Sequence, residues 1–252
     1  MPRILYSPQK PPIILAHRGG GLEYPENSRT AFKQMSDAGF RYVETDAQVT
    51  RDNVAVFFHD PHLDRTSDAS GLIRDYTWDE LQKVRVGDGQ SIMRVDEVLA
   101  EFPDMVFNID LKGDESVEPV LGAIEKTGAY ERVCLASFSE NRLRRARKYM
   151  PKVATSAGIG QIVAMRGFSV LPRALYTRLF TKKASMQAVQ VPMSSHGIPV
   201  VTPRFIDFAH DNELAVHVWT INDVETAARL LEWGVDGIVT DRPNFMRQEL
   251  GI

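Results

Sequence analysis

The sequence predicts a (β/α)₈ barrel of the α/β class, with a β-hairpin after its second strand. Three observations predict it. Apolar, β-branched runs alternate with amphipathic, helix-like stretches along the whole chain, the pattern of strands joined by helical crossovers. One pair of runs breaks this rule, because only Thr50-Arg51-Asp52-Asn53 separates them, too few residues for a helix between parallel strands. The glycine fingerprint of an open doubly wound sheet is missing, since His17-Arg18-Gly19-Gly20 does not resemble it, and this disfavours the main alternative for such an alternation. The length of 252 residues is one that a single barrel domain fills, so 1–252 reads as one domain.

In order, strands are expected near 13–17, 41–48, 54–59, 105–111, 133–137, 153–156, 187–191, 215–220 and 237–240. Between Ser28 and Gly39, Ala31, Phe32, Met35 and Ala38 share one helical face, and Gly39 suits a C-cap. Val117–Thr127 and Glu140–Met150 follow the same logic, the latter closed by Pro151. Asn222 is expected to cap a helix from Val224 to Trp233, stopped by Gly234. The short connection 50–53 reads as a hairpin centred on Asp52-Asn53. Setting the hairpin's return strand aside leaves eight strands.

Bulk composition bounds the function. Hydrophobic residues make up 43% of the chain and charged residues 25%, enough for a full core in a soluble protein. A formal net charge of −3 gives no support to polyanion binding over the whole surface. The single cysteine, Cys134, excludes an internal disulfide and fits a reducing compartment or mere burial. No apolar run approaches the roughly 20 residues that span a bilayer, and 13–16 is too short for a signal-peptide core. A cytoplasmic protein without a stable membrane anchor is expected; the sequence sets no oligomeric state.

The chemistry-bearing residues gather at strand ends. His17 and His59 each end an apolar run, and Glu44 and Asp46 lie between them two residues apart, hence on one face of a strand. The hairpin, centred as above, places His59 opposite Asp46. Asp110 and Lys112 repeat the device in Phe107-Asn108-Ile109-Asp110-Leu111-Lys112. Three converging carboxylates repel unless a cation or protons neutralise them. Oxygen ligands without cysteine favour one hard divalent ion, Mg²⁺ or Ca²⁺. In a parallel barrel, sites lie at the C-terminal strand ends, where His17, Glu44, Asp46, Asp110, Lys112, Trp219 and Asp241 all fall. Arg18 and Lys112 suit a phosphate, and two histidines suit proton transfer in both directions. A phosphodiester is the substrate class these groups fit.

The chain resembles the glycerophosphodiester phosphodiesterase family, barrel enzymes related to the phosphatidylinositol-specific phospholipases C. The matching residues include His17-Arg18-Gly19, Pro25-Glu26-Asn27-Ser28, Glu44-Thr45-Asp46, Val56-Phe57-Phe58-His59-Asp60, Leu63-Asp64-Arg65-Thr66, Asn108-Ile109-Asp110-Leu111-Lys112, Val218-Trp219-Thr220-Ile221-Asn222 and 234–241. The resemblance runs nearly end to end and is weakest over 157–200. It implies that Glu44, Asp46 and Asp110 bind the metal, that His17 and His59 form the acid–base pair, and that about 60–95 is a small insertion capping the barrel mouth. The family usually has Glu where this chain has Asp110, which is shorter by about 1.5 Å. The implied reaction cleaves a small-molecule glycerophosphodiester to glycerol 3-phosphate and an alcohol. Two alternatives stand beside it: hydrolysis of lysophospholipids, and a phosphate-ligand-binding barrel without turnover.

Other features have plainer readings. His62, His196, His210 and His217 lack such company and are expected at the surface or in the core. Trp219 suits either packing or substrate contact. The basic run Arg142, Arg144, Arg145, Arg147 and Lys148 reads as a solvated helix face rather than a nucleic-acid site, because stacking aromatics are missing. The stretch Gln161–Lys183 mixes apolar and basic residues; it reads as a barrel helix and loop, interrupted at Pro172.

Overall fold

The computed structural model describes residues 6, 12–87, 89–171 and 186–252 of the chain. Eight parallel strands form a closed barrel: Ile13–His17, Tyr42–Val49, Val106–Leu111, Val133–Ala136, Ala154–Ser156, Met186–Pro192, Ala215–Trp219 and Gly237–Thr240. The first strand closes the ring by pairing on one side with the last, Leu15 against Val239, and on the other with the second, His17 against Glu44. Each barrel strand is followed by a helix: Arg29–Asp37, Val95–Glu101, Val117–Thr127, Glu140–Tyr149, Ile159–Phe168, Pro203–Asp211, Val224–Glu232 and Pro243–Leu250. The predicted alternation is therefore the observed one. The part of 161–183 beyond Leu171, including Pro172, lies outside the described residues.

Packing follows the sequence pattern. The helix Arg29–Asp37 starts where the Ser28 hydroxyl accepts from the Ala31 amide at 3.1 Å and buries Ala31, Phe32 and Met35. Phe32 meets the rings of Phe57, Phe102 and Phe107 edge-on at centroid distances of 5.9, 6.4 and 6.0 Å. Truncating so well-packed an aromatic to alanine costs about 3–5 kcal/mol.

The barrel floor is built differently. Cys134, Ala154, Ala188 and Ala215, one from each of four strands, cluster with Tyr6. Their small side chains leave room for the Tyr6 ring, which stands edge-on to His217 at 4.5 Å. A residue from before the first strand thus closes the floor.

Two local expectations need correction. The hairpin pairs Ala47 with Phe57, Gln48 with Val56 and Val49 with Ala55, one residue off the expected register. Its loop is three residues long, Arg51 to Asn53, because Thr50 and Val54 still pair, the Thr50 amide donating to the Val54 carbonyl at 3.0 Å. Asn53 takes the left-handed conformation, φ 62°, as the last residue of such a loop requires. His59 therefore does not pair with Asp46; the Phe58 amide donates to the Asp46 carbonyl instead, at 2.9 Å. The second correction concerns Asn222. The helix Val224–Glu232 is capped by Asp223, whose carboxylate accepts from the Thr226 amide at 2.8 Å. Asn222 is occupied elsewhere.

The described residues of 60–92, between the hairpin and the next helix, form a compact unit. It holds a 3₁₀ turn Ile73–Asp75, a short helix Trp78–Leu81 and a two-stranded ribbon pairing Arg85–Val86 with Gln90–Ser91. Leu63, Ile73, Leu81, Val84, Val86 and Ile92 make a second hydrophobic cluster there, joined by Val56 and Phe58 of the hairpin arm.

Candidate active site

The site is built on the turn after the first strand. Gly19 and Gly20 carry φ of +82° and +93°, a region where L side chains are strained. A Cβ on Gly19 would stand 2.8 Å from that of Ala31, so this turn seats the loop directly on the first helix. The Gly20 amide donates to the His17 carbonyl at 2.8 Å, and the Arg18 amide to the Glu44 carbonyl at 2.8 Å. His17 and Arg18 are thereby pinned to the adjacent strand.

His17 Nδ1 lies 2.6 Å from Asp241 Oδ1, while its Nε2 lies 3.7 Å from Glu44 Oε2. A carboxylate only accepts, so Nδ1 carries the proton of this bond. Burial alone would lower the His17 pKa, but Glu44 and Asp241 outweigh it and raise it. Asp241 is held in turn by Asn222. The Asn222 amide donates to Asp241 Oδ2 at 2.8 Å, and its oxygen accepts from the Asp241 backbone at 2.8 Å and the Thr240 hydroxyl at 3.0 Å.

His59 has a parallel arrangement. Its Nδ1 lies 2.6 Å from Asp60 Oδ1, and Asp60 Oδ2 accepts from Arg65 Nε. Burial would raise the Asp60 carboxyl, but Arg65 and His59 hold it below the usual range.

Between the histidines stands a charged cluster. Lys112 Nζ bridges Asp46 Oδ1 at 2.8 Å and Asp110 Oδ2 at 2.7 Å, and these two aspartates are register partners on adjacent strands. Asp46 Oδ2 also accepts from Asn27 at 3.1 Å and lies 3.5 Å from Arg18 Nε. Burial pushes Asp46 up, yet Lys112, His59 and Arg18 bring it below its ordinary value. Glu44 is met less closely, its Oε2 lying 3.7 Å from His17 Nε2. Burial first, then Asp46 and Asp110, pushes it up to about 7 against the pull of His17 and Lys112. Burial likewise raises Asp110, with Lys112 opposing. The Lys112 ammonium stays charged well above its ordinary range, because Asp46 and Asp110 outweigh its burial.

Glu44 Oε2 and Asp110 Oδ1 are buried without a hydrogen-bond partner. Orphaned anionic oxygens are costly unless a cation meets them. Among the described residues, no three His, Cys, Asp or Glu side chains already form an ion cage; Lys112 supplies the neutralising charge. By charge, hardness and unsatisfied oxygens, the carboxylate set nonetheless fits a hard divalent cation.

The structure thus brings His17, Arg18, Glu44, Asp46, His59, Asp110 and Lys112 to one end of the barrel. Trp219 ends its strand on the same rim and meets Phe138 edge-on at 5.9 Å. Sequence reading did not find the roles of Asp60, Glu26, Asn27, Arg65 or Asn222. The adjacency of Asp60 to His59 was the available signal; the others act across 5 to 39 residues. Asn27 is an example: it takes a left-handed φ of 51° and holds Asp46 with one end while accepting from the Thr45 hydroxyl at 2.7 Å with the other. His217 is buried among the barrel's interior residues, and His210 pairs with Asp236 at 2.8 Å. In the basic helix, Arg142 pairs with Asp114, Arg145 with Glu118 and Arg147 with Glu140, which accounts for much of its charge locally.

The model of the glycerophosphoryl diester phosphodiesterase family matches residues 17–245. The chain belongs to this family. A relative from Mycobacterium tuberculosis named probable glycerophosphodiester phosphodiesterase 2 is 38% identical over 242 residues, covering 94% of this chain and 90% of its own. A human lysophospholipase D is 22% identical over 284 residues, covering 99% of this chain and 89% of its own. Among solved structures, a phosphodiesterase from Oleispira antarctica in complex with the product sn-glycerol-3-phosphate superposes with a TM-score of 0.77 at 23% identity, covering 96% of this chain and 97% of that one. The superposition shows that the two chains share the barrel fold.

Proposed function

We propose that the chain hydrolyses glycerophosphodiesters to glycerol 3-phosphate and an alcohol, with His17 and His59 as the acid–base pair. Membership of the family supports the reaction class. One observation carries the residue roles: two histidines, each with Nδ1 locked to an aspartate at 2.6 Å, flank a part-buried cluster of two cations and three carboxylates. Locking Nδ1 leaves Nε2 as the proton-transfer atom of each ring.

Arg18 offers a guanidinium and Lys112 an ammonium to the non-bridging phosphoryl oxygens. Arg18 Nε is buried without a hydrogen-bond partner, a donor that such an oxygen would satisfy. One histidine takes the proton of the attacking hydroxyl, from water or the neighbouring glycerol OH. As the new P–O bond forms, the P–O bond to the alcohol breaks and the other histidine protonates the departing oxygen. If the glycerol hydroxyl attacks, water then opens the cyclic phosphate with the two roles exchanged. Glu44, Asp46 and Asp110 are the residues that would hold a divalent cation, Mg²⁺ or Ca²⁺, which when bound supplies positive charge at the phosphoryl group and acidifies a bound hydroxyl. Trp219, with Phe138, offers an apolar wall to the glycerol carbons.

A lysophospholipid is the second reading. Leu22, Phe138, Ile159 and Ile198 are all exposed, and each lies in a segment that follows a barrel strand, the side on which the site opens. An acyl chain leaving the mouth would meet such side chains. Turnover of glycerophosphocholine against lysophosphatidylcholine separates the two readings. Dialysis against EDTA, then Mg²⁺ or Ca²⁺ add-back, tests the cation: loss and recovery of glycerol 3-phosphate release is expected. Among the described residues no helix is long and apolar enough to cross a membrane; a cytoplasmic, single-domain enzyme remains the proposal, checked by cell fractionation and by a single unfolding transition.

A further inference from the structure

We propose that Arg65 is a positioning residue that sets His59 and Arg18 at once, from its place on the 60–92 unit; the proposal rests on the functional reading above. Its guanidinium makes three hydrogen bonds to two carboxylates. Nε donates to Asp60 Oδ2, Nη1 donates to Glu26 Oε2 at 2.9 Å, and Nη2 donates to Glu26 Oε1 at 2.6 Å. A guanidinium is flat, so its fork fixes both carboxylates relative to one plane.

Each of those carboxylates touches the site. Asp60 gives its other oxygen to His59 Nδ1 at 2.6 Å. Glu26 also accepts from Arg18 Nη1, with both oxygens at 3.2 Å. Glu26 is therefore shared between two guanidinium groups, and burial's upward push on its carboxyl is outweighed by Arg65 and Arg18. Without Arg65, Glu26 would answer to Arg18 alone and draw it away from the phosphoryl position, while Asp60 would lose the donor that fixes it and His59 would lose its orientation. The Arg65 side chain is 47% exposed, and half-exposed ion pairs add little to stability. Its geometry is therefore better explained by placement of other groups than by holding the fold.

The functional division of the two arms gives the test. Asp60 works through the proton-transfer ring, so Asp60→Asn is expected to act on kcat; Glu26 works through the phosphate anchor, so Glu26→Gln is expected to act on KM. Arg65→Ala is expected to move both, lowering kcat/KM by about 10- to 100-fold, since misplacement by about 1 Å costs that much. Its melting temperature is expected within a few degrees of the parent. Arg65→Lys is expected to recover only one arm, because a point charge lacks the fork. Lys33→Ala, which removes an exposed pair with Asp37 one turn along the first helix, is expected to leave both constants unchanged. The double variant Arg65→Ala/Asp60→Asn is expected to lose less kcat than the two single losses multiplied. The proposal is overturned if Arg65→Ala keeps kcat and KM within twofold, or loses activity only in proportion to lost folded protein. If Arg65→Ala does not fold, Arg65→Lys carries the same test. His59→Ala in the same assay keeps the two ideas apart: near-normal turnover there removes the acid–base reading itself, whereas a dead His59→Ala beside an unaffected Arg65→Ala removes only the role of Arg65.

Discussion

His17 and His59 reach the same end state by different routes. Each presents Nδ1 to an aspartate at 2.6 Å. The partner of His17 is 224 residues away and is delivered by closure of the barrel, since the strand carrying His17 pairs with the strand that precedes Asp241. The partner of His59 is the next residue, steadied by an arginine five residues further on. Exposure matches: the His17 side chain is 17% exposed and that of His59 31%. The first dyad is part of the fold's own register, and the second is a loop device mounted on an insertion. A histidine set by global topology cannot be disturbed without disturbing the barrel; one set by a loop can.

Asp241→Asn is the sharpest way to break that comparison. It is expected to cut kcat by about 10³, the scale on which an acid–base histidine loses its orienting carboxylate, and to lower stability by about 1–3 kcal/mol, because buried hydrogen-bond partners are left unmatched. Asp60→Asn is expected to cut kcat by about 10-fold to 100-fold with a nearly unchanged melting temperature. Equal stability losses in the two variants would contradict the distinction. Both constants come from steady-state kinetics, and stability from thermal unfolding of the same preparations.

A smaller effect concerns Glu44, which joins the His17 side of the site. Its pKa is raised from 4.5 to about 7, so between those values the folded form holds a proton that the unfolded chain has released. Without a cation, this group's contribution to stability is therefore full below about 4.5 and is lost as pH rises through 7. A divalent cation needs the deprotonated carboxylate. The rise in melting temperature on adding Mg²⁺ or Ca²⁺ is expected to be larger at about pH 8 than at about pH 5, and equal rises would contradict it.

The last effect, which leaves turnover untouched, sharpens the comparison with a third histidine, one without a carboxylate at hydrogen-bond distance. His217 lies buried beside Tyr6 with Nε2 unpartnered, and burial pushes its pKa from 6.5 down to about 4, against a weak pull from Asp236. Below 6.5 the unfolded chain takes up a proton that the folded one refuses, so stability is lost as pH falls toward 4. His217→Gln is expected to remove that part of the acid slope, up to about 3 kcal/mol, without altering the activity ratios between the other variants. An unchanged slope would show that the floor histidine titrates freely.

The barrel strands were legible because buried parallel strands are near-continuous apolar runs, and the strand ends carried the histidines and carboxylates in plain view. Distances set by register were not. The hairpin register hinged on whether Asn53 was the second or third loop residue, a choice that rests on a single positive φ. Asn222 and Asp223 are both good helix caps; the structure uses Asp223 because the Asn222 amide can serve Asp241 and Thr240 from both ends. Arg65 and Glu26 stand on different segments, and nothing in their spacing says that one guanidinium joins them. The place of a residue along its strand was readable; the partner that reaches it was not, whether it arrives by barrel closure, from the 60–92 segment or, as Asp60 does for His59, from the next position.

The most direct measurement is release of glycerol 3-phosphate from glycerophosphocholine, with Mg²⁺ or Ca²⁺ present, by the parent chain, His17→Ala and His59→Ala. Turnover by the parent and a kcat loss of about 10² or more in each variant, with both still folded, is the predicted result. Near-normal release by either variant, or none by the parent with any glycerophosphodiester offered, would contradict it.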